Sequence, residues 1–427
     1  LVFSPPRGRF FNMAAIKSNL LGIFTNLNKK GRLLLLLAFI FVLLLLVRKA
    51  RHSDIMKSEP VFRRILKRIG SSEDEFCLVS YNILADGPVK RQPNGYLPLP
   101  MAEKLKEPNP KTSPRHKQLM KELQWLNPDV INMQEVETSY FAVLQEDLGE
   151  SGFKGVHKPH YKAQNGLATF YNAQRFKMQK SVTYNFNELL SKIFDLGQFE
   201  HENKHNQRVV IFSHLTEVKT GKPIVIANLH SMFGSWRQPD MQALQISLFF
   251  QKLHEFITSL QENSPVPWII SGDFNTYPNF PLYAIISTGN VSNDGLERLN
   301  PNKYKYPQVV EKSQVREGQT VILKDGRKYL NHPLKDIKSA YKTALGREPL
   351  LTHYQINKDF PTLYGFDVMK GTLDYIWYSS GTLNVNAVLQ HVKEDVITPL
   401  VACPNKYFPS DHLSMKACFG FGKSDDR

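Results

Sequence analysis

Trp268-Ile269-Ile270-Ser271-Gly272-Asp273-Phe274-Asn275 is a short apolar run that ends in a carboxylate and an amide. Its length and branched side chains predict a β-strand that delivers polar groups at its end. The pattern recurs along the chain. Val79-Ser80-Tyr81 leads into Asn82, Ile131-Asn132-Met133-Gln134 into Glu135, and Ile224-Val225-Ile226-Ala227-Asn228-Leu229 into His230. Near the C-terminus Leu373 runs into Asp374, and Ser410-Asp411-His412 precedes a last apolar run. Helical patterns lie between the strands. Leu119, Leu123 and Leu126 recur at helical intervals over 115–126, and Leu244, Leu248, Phe249, Leu253 and Phe256 fall on one side of 240–260. Mixed strands and helices predict an α/β fold. The polar, Lys-rich segment 291–335 reads as a surface insertion.

Strand ends let a rigid sheet place distant residues in one cleft. Carboxylates, amides and imidazoles gathered there suit metal-assisted attack on phosphorus. Glu135, Asn82 and Asp411 are candidate ligands, and hard oxygen donors favour Mg²⁺, with Mn²⁺ as an alternative, over zinc. Asp273 is the candidate base for the attacking water. Asn275, two residues further along an extended strand, is expected on the same face, donating to that water or to the phosphate. His230 and His412 are candidate donors to a phosphoryl oxygen, with Asp374 holding the His412 imidazole. Singly, each residue has a plainer reading. Asp273-Phe274-Asn275 is equally a turn, and Ser410-Asp411-His412 after Pro409 equally a loop or cap.

Composition bounds the alternatives. Of 427 residues, 42% are hydrophobic and 22% charged, which excludes a wholly disordered chain. Three cysteines, Cys77, Cys403 and Cys418, are too few for a disulfide scaffold, lack zinc spacing and suggest a reducing compartment. The net charge of +15 is uneven: residues 1–68 hold fourteen basic residues against Asp54 and Glu59, for a local charge of +12. Only +3 is left for 69–427, so the basic balance belongs to an N-terminal arm and not to a diffuse nucleic-acid-binding surface.

Within that arm, residues 33–47 read LLLLLAFIFVLLLLV, fifteen residues without a polar side chain. At 1.5 Å per residue the run spans about 22 Å, short of a ~30 Å bilayer core, and flanking basic side chains can snorkel to cover the difference. A signal peptide is the rival reading, but no small-residue cleavage site follows; the chain continues into Arg48-Lys49-Ala50-Arg51. Four basic residues lie in 13–32 and eight in 48–68, which favours the C-terminal part in the cytosol. The expected organisation is a basic arm (1–32, with Met13 as an alternative start), a single-pass transmembrane anchor (33–47), a basic linker (48–74), a catalytic domain (75–420) and a tail (421–427). The expected membrane is the mitochondrial outer membrane or the endoplasmic reticulum.

Glu135 within Met133-Gln134-Glu135-Val136, Ser271-Gly272-Asp273-Phe274-Asn275, Leu373-Asp374-Tyr375 and Ser410-Asp411-His412 resemble the endonuclease/exonuclease/phosphatase superfamily. Ser80-Tyr81-Asn82-Ile83-Leu84-Ala85, Gly166-Leu167-Ala168-Thr169-Phe170-Tyr171 and Thr372-Leu373-Asp374-Tyr375-Ile376-Trp377-Tyr378 look like its deadenylase-type branch: carbon-catabolite-repressor deadenylases, nocturnin, Angel proteins and the 2′,5′-phosphodiesterase. The resemblance spans roughly residues 75–420. It implies a four-layer α/β/β/α sandwich and Mg²⁺-dependent hydrolysis at RNA 3′ ends, of poly(A) or 2′,5′-oligoadenylate type, or of a nucleotide or 2′,3′-cyclic phosphate. A sphingomyelinase-type lipid phosphodiesterase is a further alternative. It also implies Glu135 as principal metal ligand with Asn82 beside it and Asp411 near the metal, Asp273 and Asn275 on the water, His230 and His412 on the phosphate, and Asp374 supporting His412. Thr352-His353-Tyr354 stands where the deadenylases carry Thr-Asn-Tyr in a base-recognition loop, which puts adenine preference in question; Phe360 or Phe366 can stack a base.

Overall fold

The structure is a computed structural model, and it describes residues 64–86, 110–160, 163–195, 208–233, 238–300, 323, 327–356, 368–392, 397, 403–405 and 407–422. The basic arm, the apolar run 33–47, Phe360 and Phe366 lie outside these residues. No helix among the described residues is long and apolar enough to cross a membrane.

Two β-sheets carry the chain. The first contains β1 (Leu66–Arg68), β2 (Phe76–Asn82), β3 (Val130–Glu137), β4 (Phe153–Pro159), β5 (Asn165–Asn172), β14 (Leu383–Leu389) and β15 (Met415–Phe421), in the order β1-β14-β15-β2-β3-β5-β4. The second contains β6 (Phe176–Asn185), β7 (Val209–Glu217), β8 (Pro223–His230), β9 (Trp268–Asp273), β10 (Ile337–Ser339) and β13 (Asp374–Ser379), in the order β10-β13-β9-β8-β7-β6. A separate ribbon pairs β11 (His353–Ile356) with β12 (Val368–Gly371). Two pairings, β2 with β3 and β8 with β9, are parallel. A parallel pair needs a crossover, and helices α1 (Pro114–Leu126) and α4 (Pro239–Thr258) supply them. Five further helices lie among the described residues: α2 (Thr138–Glu150), α3 (Phe186–Leu190), α5 (Pro281–Thr288), α6 (Asn293–Arg298) and α7 (Ala340–Leu345).

The period of two decides the layers. Leu78, Val130, Ile226, Ile269 and Ile376 pack together between the sheets. Their chain neighbours Val79 and Ile131 face α1 and α2 with Leu119, Leu123 and Leu144. On the far side Val225, Ala227 and Ile270 face α4 and α5 with Phe249, Leu253 and Ile285. Helices therefore cover both outer faces, giving the expected four-layer sandwich. Strands covered on both sides read as continuous apolar runs, which is why the sequence showed runs and not alternation. Helix α1 starts where Ser113 Oγ accepts the His116 N–H and Pro114 takes the first turn, and it stops at left-handed Asn127.

Within the stretch expected as a linker, 48–74, Leu66–Arg68 pair with β14. Arg64 is buried, with Nη2 2.6 Å from Glu122 Oε1 and Nη1 donating to Ser414 O at 2.9 Å. Tyr81 donates to the second oxygen of Glu122 at 3.0 Å. Arg64→Ala leaves Glu122 buried without its cation, an expected loss of about 3–5 kcal/mol in urea unfolding; a fragment starting at residue 69 should lose at least as much. The tail begins after Phe421, whose ring sits 5.4 Å from Phe76. Of the 291–335 segment, the described Leu299, Leu330 and Leu334 lie in the core beside α4. Cys77 and Cys418, 341 residues apart, stand opposite each other in β2 and β15 and are paired as a disulfide, a pairing that their spacing in the chain did not announce; Cys403 is free and buried.

Candidate active site at one end of the sandwich

Along the inner face of each central strand the side chains change from apolar to polar toward the same end. In β2 the series is Phe76, Leu78, Ser80, Asn82; in β3 it is Val130, Asn132, Gln134. In β8 it is Ile224, Ile226, Asn228, His230, and in β9 it is Ile269, Ser271, Asp273. The antiparallel β13 contributes its beginning, Asp374, and β15 the residues just before it. Register lines up the ends: His230 opposes Asp273, and Asp273 opposes Asp374.

Below the mouth, polar side chains lock the two sheets together. Asn132 Nδ2 donates to Ser271 Oγ at 2.9 Å and to Ala227 O at 3.0 Å, while Thr169 Oγ1 donates to Asn132 Oδ1 at 2.9 Å. Gln134 Nε2 donates to Asn228 Oδ1 at 2.8 Å, and Asn228 Nδ2 donates to Ala168 O at 2.9 Å. This buried network, whose Gln134 Oε1 alone of the polar atoms of these side chains lacks a partner, ties the two sheets in one relative placement.

Asp273 is the centre of the site. Its Oδ2 lies 3.1 Å from Asn82 Nδ2, 3.4 Å from His230 Nε2 and 3.6 Å from His412 Nε2. Its Oδ1 accepts the Asn275 N–H at 2.8 Å. Burial pushes its pKa up to about 7, with Asp374 adding to the rise against the pull of His412. Asp374 Oδ2 accepts from His412 Nδ1 at 2.9 Å. Burial opposes charge on that imidazole, but Asp374 and Asp273 outweigh it and raise His412 to about 10. Asp374 is aimed by Thr352, whose Oγ1 accepts the backbone N–H groups of Leu373 and Asp374 at 2.9 and 3.1 Å.

Glu135 reaches the site through a bulge. The strand was expected to end there, but β3 runs on to Glu137. The register slips between Gln134 and Val136, leaving Glu135 unpaired at φ 61°. Its Oε1 accepts from Asn82 Nδ2 at 3.1 Å and its Oε2 from the Ala85 N–H at 2.9 Å. The Ala85 loop is clamped from below by Arg115, which binds Ile83 O, Leu84 O and Asp86.

Three of the expected residues have geometries that the sequence did not give. Asn82 Oδ1 takes the Leu84 N–H at 3.1 Å, and the amide turns its nitrogen to both carboxylates. Asn275 does not continue an extended strand. It is left-handed at φ 49°, its Nδ2 donates to Ser231 O at 3.1 Å, and the turn reading of Asp273-Phe274-Asn275 is the one realised. Asp411 faces His353, with Oδ2 3.6 Å from Nε2, and ligand atoms of His353, Asp411 and His412 lie within 4.8 Å of one another. Burial works against its charge, but His353 and His412 hold it below the ordinary carboxylate range.

The site meets the chemistry expected of a hard divalent cation. Glu135 and Asp273 converge on a single amide nitrogen, and their carboxylate oxygens are the donors such an ion takes. Two carboxylates facing one neutral amide leave negative charge that a cation offsets.

Sequence reading missed most of the supports. Arg208, His160 and Gln242 carry no local signal, since each is a single polar residue in an ordinary context, and His353 was noted only as a departure from Thr-Asn-Tyr. Gln242, buried in α4, donates to Phe274 O at 2.9 Å and Asn275 O at 3.0 Å, beside Ser231 Oγ at 3.0 Å. It ties the loop after Asp273 to the loop after His230. Gln242→Leu leaves these carbonyls unmet; the expected cost is about 1–3 kcal/mol in denaturant unfolding, with kcat falling more than KM changes.

Residues 79–412 match the family model described as "Endonuclease/Exonuclease/phosphatase family". The chain belongs to this family. It is 26% identical over 395 residues to the CCR4-Not complex 3'-5'-exoribonuclease subunit Ccr4 of Emericella nidulans, covering 82% of this chain and 52% of that protein. The chain thus spans about half the length of such relatives. With Carbon catabolite repressor protein 4 homolog 3 of Arabidopsis thaliana it shares 25% identity over 396 residues, covering 87% of this chain and 82% of that one. Among solved structures, ANGEL2, a 2',3'-cyclic phosphatase, in complex with adenosine-2',3'-vanadate superposes with a TM-score of 0.65 at 21% identity, covering 84% of this chain and 99% of that one. The human Nocturnin catalytic domain gives 0.52 at 20% identity, covering 86% and 100%. These likenesses carry the fold.

Proposed function

We propose that the chain is a metal-dependent hydrolase of phosphoric esters that cleaves RNA 3′ ends as a 3′-5′ exoribonuclease of deadenylase type. The observation that carries this is the convergence of Glu135, Asp273 and the Asp374–His412 pair at one end of the sandwich. Asp273, with a pKa near 7 and set among hydrogen-bond donors, takes the proton of the attacking water. His412, held as an imidazolium by Asp374, and His230, through Nε2–H, donate to phosphoryl oxygens as charge develops. Asn82 holds the two carboxylates apart at a set distance. Mg²⁺ or Mn²⁺ would be held by Glu135 with Asp273 nearby and would polarise the phosphoryl group when bound.

The Ccr4 relatives support the RNA reading. The superposition on ANGEL2, crystallised with adenosine-2',3'-vanadate, favours a second reading, 2′,3′-cyclic phosphate hydrolysis on the same residues. A substrate panel of oligo(A), 2′,5′-oligoadenylate, a 2′,3′-cyclic end and a 2′-phosphorylated dinucleotide, with Mg²⁺ and with chelator, separates them. Stepwise shortening of oligo(A) that chelator stops is the expected result; turnover of the cyclic end alone overturns the exoribonuclease. We further propose that residues 33–47 anchor the chain in the mitochondrial outer membrane or endoplasmic reticulum with the catalytic domain cytosolic, a reading supported by the flanking basic residues. Localisation of a tagged full chain with and without 33–47 tests it: the deletion should release the protein from membranes.

A further inference from the structure

Two hydrogen-bond donors beside the site have no acceptor. Arg208 stands just before β7, and its Nε is enclosed and unpartnered. His160, just past the end of β4, is buried, and its Nε2 is likewise unpartnered. One comes from each sheet. An enclosed donor left unmet costs about 1–3 kcal/mol, and both residues flank His230, whose other edge faces Asp273; an anion beside them would supply the missing acceptor.

Hydrogen-bond valence assigns the protons. The Val209 N–H can only donate, so His160 Nδ1, at 3.2 Å, accepts and the ring proton sits on Nε2. Arg208 can only donate, so His230 Nδ1, 3.3 Å from Nη1, accepts as well, and the His230 proton faces Asp273. His230 thus divides the cleft. One edge of its ring serves the reacting centre at Asp273, and the opposite edge meets Arg208, with the His160 ring 5.8 Å away. Arg208 is fixed in place by its carbonyl, which accepts the Phe186 N–H at 2.9 Å.

We propose that Arg208 and His160 form a second phosphate subsite, across His230 from the reacting centre, that holds the phosphodiester next to the one being cleaved. This rests on the proposed RNA hydrolysis and narrows it: the substrate carries at least two successive phosphates, and a nucleoside with one terminal or cyclic phosphate leaves the subsite empty.

The test is a cycle on the full chain with two oligo(A) substrates, one unmodified and one bearing a single neutral methylphosphonate at the linkage adjoining the scissile one. In the unaltered protein the methylphosphonate should raise KM about tenfold. Arg208→Gln should raise KM about tenfold on the unmodified substrate and show no further rise with the methylphosphonate. His160→Leu should behave alike with a smaller change, and Arg208→Lys should recover part of the loss. Losses that multiply, or a KM unmoved by Arg208→Gln, overturn the subsite. If the unaltered protein turns over neither substrate, the RNA reading fails separately. Calorimetric titration with inorganic pyrophosphate then decides the subsite: about tenfold weaker binding in both variants supports it, and equal binding refutes it.

Discussion

Asp273→Asn should lower kcat about 10³–10⁴-fold and at the same time make the metal-free domain harder to unfold at neutral pH and above. The catalytic loss follows from the proposed role: an amide cannot take a proton from water. The stability gain follows from burial, which raises the carboxyl from 3.8 to about 7 in the folded protein. A raised carboxyl pKa means that the folded state holds its proton more tightly than the unfolded one. The fold is therefore penalised as pH climbs through that window, and the full penalty stands above it. An asparagine has no charge to bury and escapes a cost of up to about 4 kcal/mol. Urea midpoints from pH 4 to 8 in chelator, beside kcat with Mg²⁺, check both halves. A variant within tenfold of the parent's kcat removes Asp273 from the chemistry.

Asp374→Asn should cost about 10²–10⁴-fold in kcat at pH 8 and return His412 to titration near or below its ordinary range. The Nδ1–H keeps an acceptor in the amide oxygen, so the ring stays placed while its charge loses its nearest partner. With Asp374 the imidazole is raised to about 10. The sign is opposite to that of Asp273. A raised histidine stabilises the fold fully below its unfolded pKa of about 6.5, and that contribution fades as pH rises through about 10. Histidine nitrogen shifts followed by NMR report the titration directly. If His412 still titrates near 10 in Asp374→Asn, another acid holds its charge and the pair has no special place.

The fold was largely legible. Residues 115–126 and 240–260 became helices close to their expected bounds, because an apolar stripe at helical spacing has one economical way to bury itself. The residues ending the apolar runs, Asn82, His230, Asp273 and Asp374, do meet, because inner-face positions that turn polar toward one end must face a shared opening. What failed were local geometries. Glu135 was read as the close of a strand and is a bulge, and Asn275 was read as extended and is left-handed. A single turned residue leaves no trace in hydrophobic period.

The order of residue types along the chain was enough to predict an α/β fold and to name the acids and imidazoles at its strand ends, since short apolar runs that close on a polar residue are a local signal; the four-layer sandwich was expected only from the family resemblance. Proton placement and pairing belonged to the assembled molecule alone. Cys77 meets Cys418, Arg64 meets Glu122 and Arg208 meets His230 only once the strands are packed. The reason is range: backbone periodicity is local, whereas charge, desolvation and hydrogen-bond valence depend on whichever distant group the fold brings within a few ångströms.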